Sequence, residues 1–323
     1  MEFSTRVLDT QNENPASSSK AKKGDPFHLR DPLLPLSDRS GVCEDRGLLP
    51  QLKKDKIAFT ALILLSIIIL CSIAAPVLSP YDKDTIDLTK QYLSPSVSHP
   101  FGTDDMGRDF FVRVMYGGRI SLAVGFLAVS IALILGLLTG GVAGFYGGAL
   151  DTVIMRIVDL MLSIPVFFVI LFLASTMSPH IFTICFFIGT TQWMEVSRLV
   201  RAGVIATKNQ EFVLAAKALG IPDRKIIVRH ILPHTAAPVL VSTSIGMATA
   251  IIIESSLSFL GFGVQPPTPS WGAMLQNAQG YLSSFPWMTV FPGLMIFLTV
   301  ACCYILGDFL SSALNPVKKS SKH

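Results

Sequence analysis

Charge is scarce in this sequence. Lys, Arg, Asp and Glu make up 15% of its 323 residues, where a soluble domain carries about 25%. Hydrophobic residues reach 50% and the mean hydropathy is +0.55, which excludes disorder over most of the chain. The formal net charge of +4 is too small to hold a polyanion, so a nucleic-acid partner is not expected. Cysteines number five. Cys71, Cys185, Cys302 and Cys303 fall in apolar runs, Cys43 lies in a polar stretch, and no Cys-x-x-Cys spacing occurs. Neither a disulfide framework nor a metal site is expected from them. What is left is an all-α polytopic membrane protein.

Residues 1–52 form a polar leader rich in Ser, Pro, Asp and Lys, without apolar periodicity, and read as largely disordered. The leader is no signal peptide, because the first apolar run begins only near Ile57. A membrane domain over 53–316 follows, with a tail at 317–323. Apolar runs at about 57–78, 119–143, 152–175, 181–200, 236–256 and 289–311 predict six transmembrane helices. Lys53, Lys54 and Lys56 before the first, with Lys318, Lys319 and Lys322 after the last, place both termini in the cytoplasm. The connecting segments agree. Residues 201–235 carry Arg201, Lys208, Lys217, Arg224, Lys225 and Arg229 against Glu211 and Asp223, and residues 257–288 carry no charge at all. Gly136, Gly140 and Gly144, each four apart, predict a helix face that a neighbouring backbone approaches closely.

The segment between the fourth and fifth spans has structure of its own. EFVLAAKAL at 211–219 reads as a helix that stops at Gly220. Pro222 and Asp223, the latter as N-cap, open a second helix that runs to Pro233. Ala215, Ala216 and Gly220, then His230, Ile231, Leu232 and Pro233, resemble the EAA loop of ABC-importer permeases. The resemblance implies a cytoplasmic coupling loop over 201–235 that docks on an ATPase subunit. Glu211, Ala215, Ala216, Gly220, Asp223, His230, Leu232 and Pro233 are its candidate coupling residues. Leu214 stands where the generic motif has Glu, and Glu211, three residues earlier, is the candidate substitute.

Further stretches narrow the family. HPFGTDDMGRD at 99–109, Gly117 to Ser121 (GGRIS), FYGGALDTVIMRIVD at 145–159 with Pro165 beyond, ESSLSFLGFG at 254–263 and QPPTPSWG at 265–272 resemble the C-type permease of dipeptide/oligopeptide/nickel importers. That resemblance implies a type I ABC-importer permease architecture. It also implies a second homologous permease, two cytoplasmic ATPase subunits that bind ATP and Mg, and an external substrate-binding protein in a bacterial inner membrane. This chain itself would bind no cofactor. Peptides are the expected cargo, with nickel, glutathione and antimicrobial peptides as alternatives within the same machinery.

Individual residues carry simpler readings as well. Asp104, Asp105 and Asp109 do not match the spacing of an EF-hand and read as part of a structured turn. Pro266, Pro267, Pro269 and Trp271 read as a stiff loop with an aromatic at the membrane interface, or as a loop facing an external partner or gating the outer mouth. Arg156 with Asp159, and Glu195 with Arg198, stand three apart and can pair on one helix face. Each pair fits structural pinning or a polar pathway. Glu254 has no local basic partner, which points to the translocation cavity or to a helix–helix contact.

Two other classes compete. An intramembrane enzyme would need a catalytic set, but H-E-x-x-H and G-x-S-x-G are absent, as is the phosphate-cradling G-x-x-x-x-G-K-[ST]. A stand-alone secondary transporter or channel fits six spans but leaves the loop at 211–233 without purpose.

Overall fold

A computed structural model describes residues 48–78, 81–176 and 180–314, with side chains for all of these but Leu78. Most of the leader and the whole tail, Lys318, Lys319 and Lys322 included, lie outside the described residues. The end of the expected leader is ordered, since Leu48–Lys54 forms α1. Asp55 then caps α2, Lys56–Ile73, by accepting from the backbone N–H groups of Ile57 and Ala58 at 3.1 Å each. A single turn, α3 (Ala75–Leu78), follows.

The second expected span begins nine residues before its apolar run. Helix α4, Phe110–Tyr146, has 37 residues, about 56 Å at 1.5 Å per residue. Its start is set by a cap and by burial, which hydropathy does not register. Asp109 accepts from the Val112 N–H at 2.9 Å, and Phe110, Val112, Arg113 and Val114 are all buried. The preceding 99–109 turn is a knot. Asp104 accepts from the N–H groups of Met106 and Arg108 at 2.9 Å and from Arg108 Nε at 2.7 Å, while His99 Nδ1 lies 2.8 Å from Asp109. The three aspartates thus serve the turn's own backbone and side chains. Among the described residues the nearest thing to a strand is an isolated bridge between Thr103 and Asp109.

The third expected span, 152–175, is not straight. Gly148–Leu162 (α5) and Val166–Thr176 (α6) meet at 80°. Pro165 lacks a backbone N–H and disfavours the helical region for Ile164, so the chain turns there. Helix α7 spans Ile181–Thr207. After it come α8 (Glu211–Ala218), α9 (Asp223–Ile226), a π turn over Ile227–Ile231, and α10 (Leu232–Phe259). Helix α11 (Trp271–Ala278) and α12 (Trp287–Leu314) close the fold.

Among the described residues, four helical segments are long and apolar enough to cross a membrane: α2, α4, the continuous Asp223–Phe259 segment and α12; α5 and α6 together would make a fifth. Six spans were expected. Helix α7 has 27 residues, ample length, but Gln192, Glu195, Arg198 and Arg201 leave its second half too polar to count.

The longest interface joins α4 to α7, and the glycine face makes it. A Cβ on Gly140 would lie 2.4 Å from the Ser197 carbonyl oxygen, and one on Gly144 would lie 2.8 Å from Val204 Cβ. The two backbones therefore touch along that stripe, where packing drives association. Among the described residues three apolar clusters result: one among α2, α4, α10, α11 and α12, one among α4, α6, α7 and α10, and one seating α8 and α9 on α4 and α7.

Candidate functional site

The loop after α7 is a folded lever. Helix α8 ends in a tight turn in which the N–H of Gly220 donates to Lys217 O at 2.9 Å and that of Ile221 donates to Ala216 O at 3.2 Å. Gly220 sits at φ +73 in open space, so its backbone conformation, and not crowding, is what demands glycine. Val213 and Ala216 face inward and are buried with Val200, Val204 and Ile226. Ala215 and Glu211 face outward, with Leu214 51% and Leu219 80% exposed. Among the described residues Glu211 has no ion-pair partner.

Two expectations about the second arm are corrected. Asp223 is the first residue of α9 and not its cap; Pro222 takes the cap position, its ring holding φ at −63. Asp223 remains in the first turn, where a negative charge suits the helix dipole. The arm also does not stop at Pro233. Leu232 N donates to Ile227 O, five residues back, and this π turn carries the helix past the proline into α10. His230 lies half-buried in the π turn, with Leu232 half-buried and Pro233 exposed just beyond it.

Side chains clamp the lever at both ends. Lys217 Nζ lies 4.8 Å from the centre of the Phe145 ring at the end of α4, and the rings of Phe212 and His234 are 4.9 Å apart. His230 and His234 stand four apart, yet the described residues contain no group of three or more ligands suited to a metal.

The charged residues of the spans pair between helices and not along them. Arg198 on α7 donates to Asp159 on α5, at half-exposed positions, so neither expected three-apart pair forms. A second bridge, absent from the sequence reading, links Arg201 to Asp151 through two bonds, the Nη2 bond being 2.6 Å. Fifty residues separate these partners, and no local spacing signals them. Arg156 and Glu195 are exposed and have no ion-pair partner among the described residues.

Glu254 is the contact and not the cavity. It is fully buried and accepts from Ser121 Oγ at 3.0 Å and Ser258 Oγ at 2.8 Å. Trp271, expected at an interface, is fully buried too. Its indole Nε1 donates to Val114 O at 2.9 Å, and its backbone N–H reaches Ser121 Oγ at 3.3 Å. Gly118 makes the room, since a Cβ there would lie 2.9 Å from the indole. The GGRIS, ESSLSFLG and PSWG stretches, distant in sequence, meet in this one polar knot.

A cavity of about 730 Å³ opens elsewhere, between α4, the α5–α6 bend, α7, α10 and α12. Val129, Leu133, Val166, Val241 and Ile253 give it apolar walls, and among the described residues Glu195 is the one charged residue lining it.

Apolar spans, a backbone-close α4–α7 seam, a folded lever continuous with α10 and a cavity along that same helix define a polytopic helical membrane protein built like a transporter permease. The model of the family described as "Binding-protein-dependent transport system inner membrane component" matches residues 110–319, and that of the "N-terminal TM domain of oligopeptide transport permease C" matches residues 48–95. The chain belongs to this family of permeases and to its dipeptide/oligopeptide C-type branch.

It is 40% identical over 286 residues to the dipeptide transport system permease protein DppC of Alkalihalophilus pseudofirmus, covering 88% of this chain and 94% of the relative. It is 38% identical over 264 residues to the oligopeptide transport system permease protein OppC of Bacillus subtilis (82% and 87%). It is also 38% identical over 265 residues to the glutathione transport system permease protein GsiD of Escherichia coli (82% and 88%). Among solved structures, a chain of the MetNI methionine ABC transporter in an inward-facing conformation aligns with a TM-score of 0.51 at 15% identity. That alignment covers 63% of this chain and 96% of the other. The fold is that of an ABC-importer permease.

Proposed function

We propose that this chain is a permease subunit of an ATP-driven importer that passes di- or oligopeptides into the cytoplasm by alternating access. The cargo would come from an external binding protein, and the cavity would be completed by a second, homologous permease. ATP and Mg would be bound by two cytoplasmic ATPase subunits, and this chain would hydrolyse nothing. Both termini would lie in the cytoplasm, as the lysines at either end of the membrane domain favour.

The observation that carries this reading is the unbroken helix Asp223–Phe259. Its first turns belong to the lever, whose outer face leaves Leu214 and Leu219 uncovered, and its later turns line the cavity at Val241, Gly246 and Ile253. A push on the lever is therefore a push on the cavity wall. Peptide cargo is favoured by the names of the relatives; the glutathione permease among them transports a molecule that is itself a small peptide.

The test is purification of the intact complex, with identification of the subunits that accompany the chain. Gly220→Val places a β-branched residue at φ +73 and should cost the lever its turn. The expected result is loss of ATPase subunits from the complex, or ATP hydrolysis no longer coupled to uptake. Uptake that persists unchanged with no ATPase subunit present would overturn the proposal.

A further inference from the structure

The cavity walls leave two polar groups of α7 with unmet bonding needs. Glu195 is exposed in it, unpaired among the described residues. Arg198, one turn further on, does not neutralise it, being held by Asp159 on α5. Gln192, one turn before Glu195 on the same helix face, has a buried side-chain Nε2 with no hydrogen-bond partner.

The threonines of the wall do not serve these groups. Thr191 donates to Ile188 O at 2.9 Å, Thr243 to Val239 O at 2.7 Å and Thr249 to Ile245 O at 3.1 Å, each within its own helix. Gly246 on α10 lies beside the Gln192 amide, where a Cβ would come to 3.4 Å from Oε1, an ordinary contact.

An anionic acceptor and an unmet N–H donor one turn apart, in a mainly apolar chamber, match a ligand with a cation beside a carbonyl. A free peptide N-terminus has that pattern: its α-ammonium is two bonds from the first carbonyl carbon. We propose that Glu195 binds the α-ammonium and Gln192 the first carbonyl of a peptide in transit. The apolar remainder of the chamber accepts side chains without selecting among them. This rests on the peptide reading above.

The test uses the full complex in proteoliposomes, with its binding protein saturated by radiolabelled trialanine or by N-acetyl-trialanine, which lacks the cation. The unsubstituted complex should take up trialanine faster. Glu195→Gln should lower kcat/KM for trialanine about tenfold, the effect of one lost charge-assisted bond, and that for the acetylated peptide less than twofold. Should Glu195→Gln fail to assemble, Glu195→Asp should show a smaller loss, again confined to the free amine. Equal losses for the two peptides, or equal uptake of both by the unsubstituted complex, would overturn the assignment. Uptake of neither peptide by the unsubstituted complex would overturn the peptide reading and this assignment with it.

Discussion

Glu254 on α10 accepts a hydrogen bond from Ser121 on α4 at 3.0 Å, across 133 residues of sequence. Both groups are buried, and Ser258 and Trp271 complete the cluster. Glu254→Ala leaves the Ser121 and Ser258 hydroxyls without their acceptor, at about 1–3 kcal/mol for each unsatisfied group. Ser121→Ala leaves the Trp271 N–H without its acceptor and should cost about 1–3 kcal/mol in all, while Glu254 keeps Ser258. Thermal unfolding of the purified protein in detergent should rank Glu254→Ala below Ser121→Ala. Equal midpoints would mean that the cluster does not hold the three stretches together.

The α4–α7 seam makes a sharper contrast between neighbours. A methyl on Gly140 would lie 2.4 Å from the Ser197 carbonyl oxygen, a backbone atom that cannot swing aside. On Gly141 the nearest neighbour of such a methyl is Ile227 Cγ2 at 3.9 Å, an ordinary contact. Gly140→Ala should therefore destabilise by about 1–3 kcal/mol through overpacking, while Gly141→Ala should be neutral or slightly stabilising, alanine being the better helix former. Expression level and unfolding midpoint, measured side by side, check this.

The glycine stripe was legible because a four-residue spacing on one helix already names a face. The bend between α5 and α6 was half legible: Pro165 was in view, but an apolar run that continues across it reads as one span. The start of α4 was hidden, since Asp109 and buried Arg113 set it and neither raises hydropathy. Spacing along a chain reveals only partners on the same helix, so Arg156–Asp159 and Glu195–Arg198 were the pairs it could suggest. The molecule instead spends Asp159 on Arg198 and Asp151 on Arg201. That choice leaves Glu195 bare in the cavity, which no local pattern could have told.

The two interhelical bridges should differ in strength. Asp159–Arg198 is half exposed and joined by a single bond, while Asp151–Arg201 is more enclosed and joined by two. Double-mutant cycles should give about 0.2–1 kcal/mol of coupling for the first and a larger value for the second, whose forked geometry suits Arg and carboxylate. Raising the salt concentration should weaken the first more. A larger coupling energy at Asp159–Arg198 would contradict the geometry.

Leu219 tests the lever without touching its fold. The side chain is 80% exposed beside the Gly220 turn and belongs to none of the apolar clusters, so Leu219→Asp should leave the unfolding midpoint of the isolated chain unchanged. If the lever's outer face seats in an ATPase subunit, burying that leucine contributes about 1.5–3 kcal/mol to docking, and a buried aspartate there would oppose it further. The variant should then bind ATPase subunits at least tenfold more weakly, and ATP-driven uptake should fall in parallel. Leu214→Glu on the same face asks a different question: it restores the acidic residue of the generic motif, three residues beyond Glu211. If Glu211 already fills that role, Leu214→Glu should leave ATPase binding within twofold, whereas Glu211→Ala should weaken it. Titration of the ATPase subunits onto each variant, read by co-purification and by stimulated hydrolysis, separates an apolar dock from a charged one.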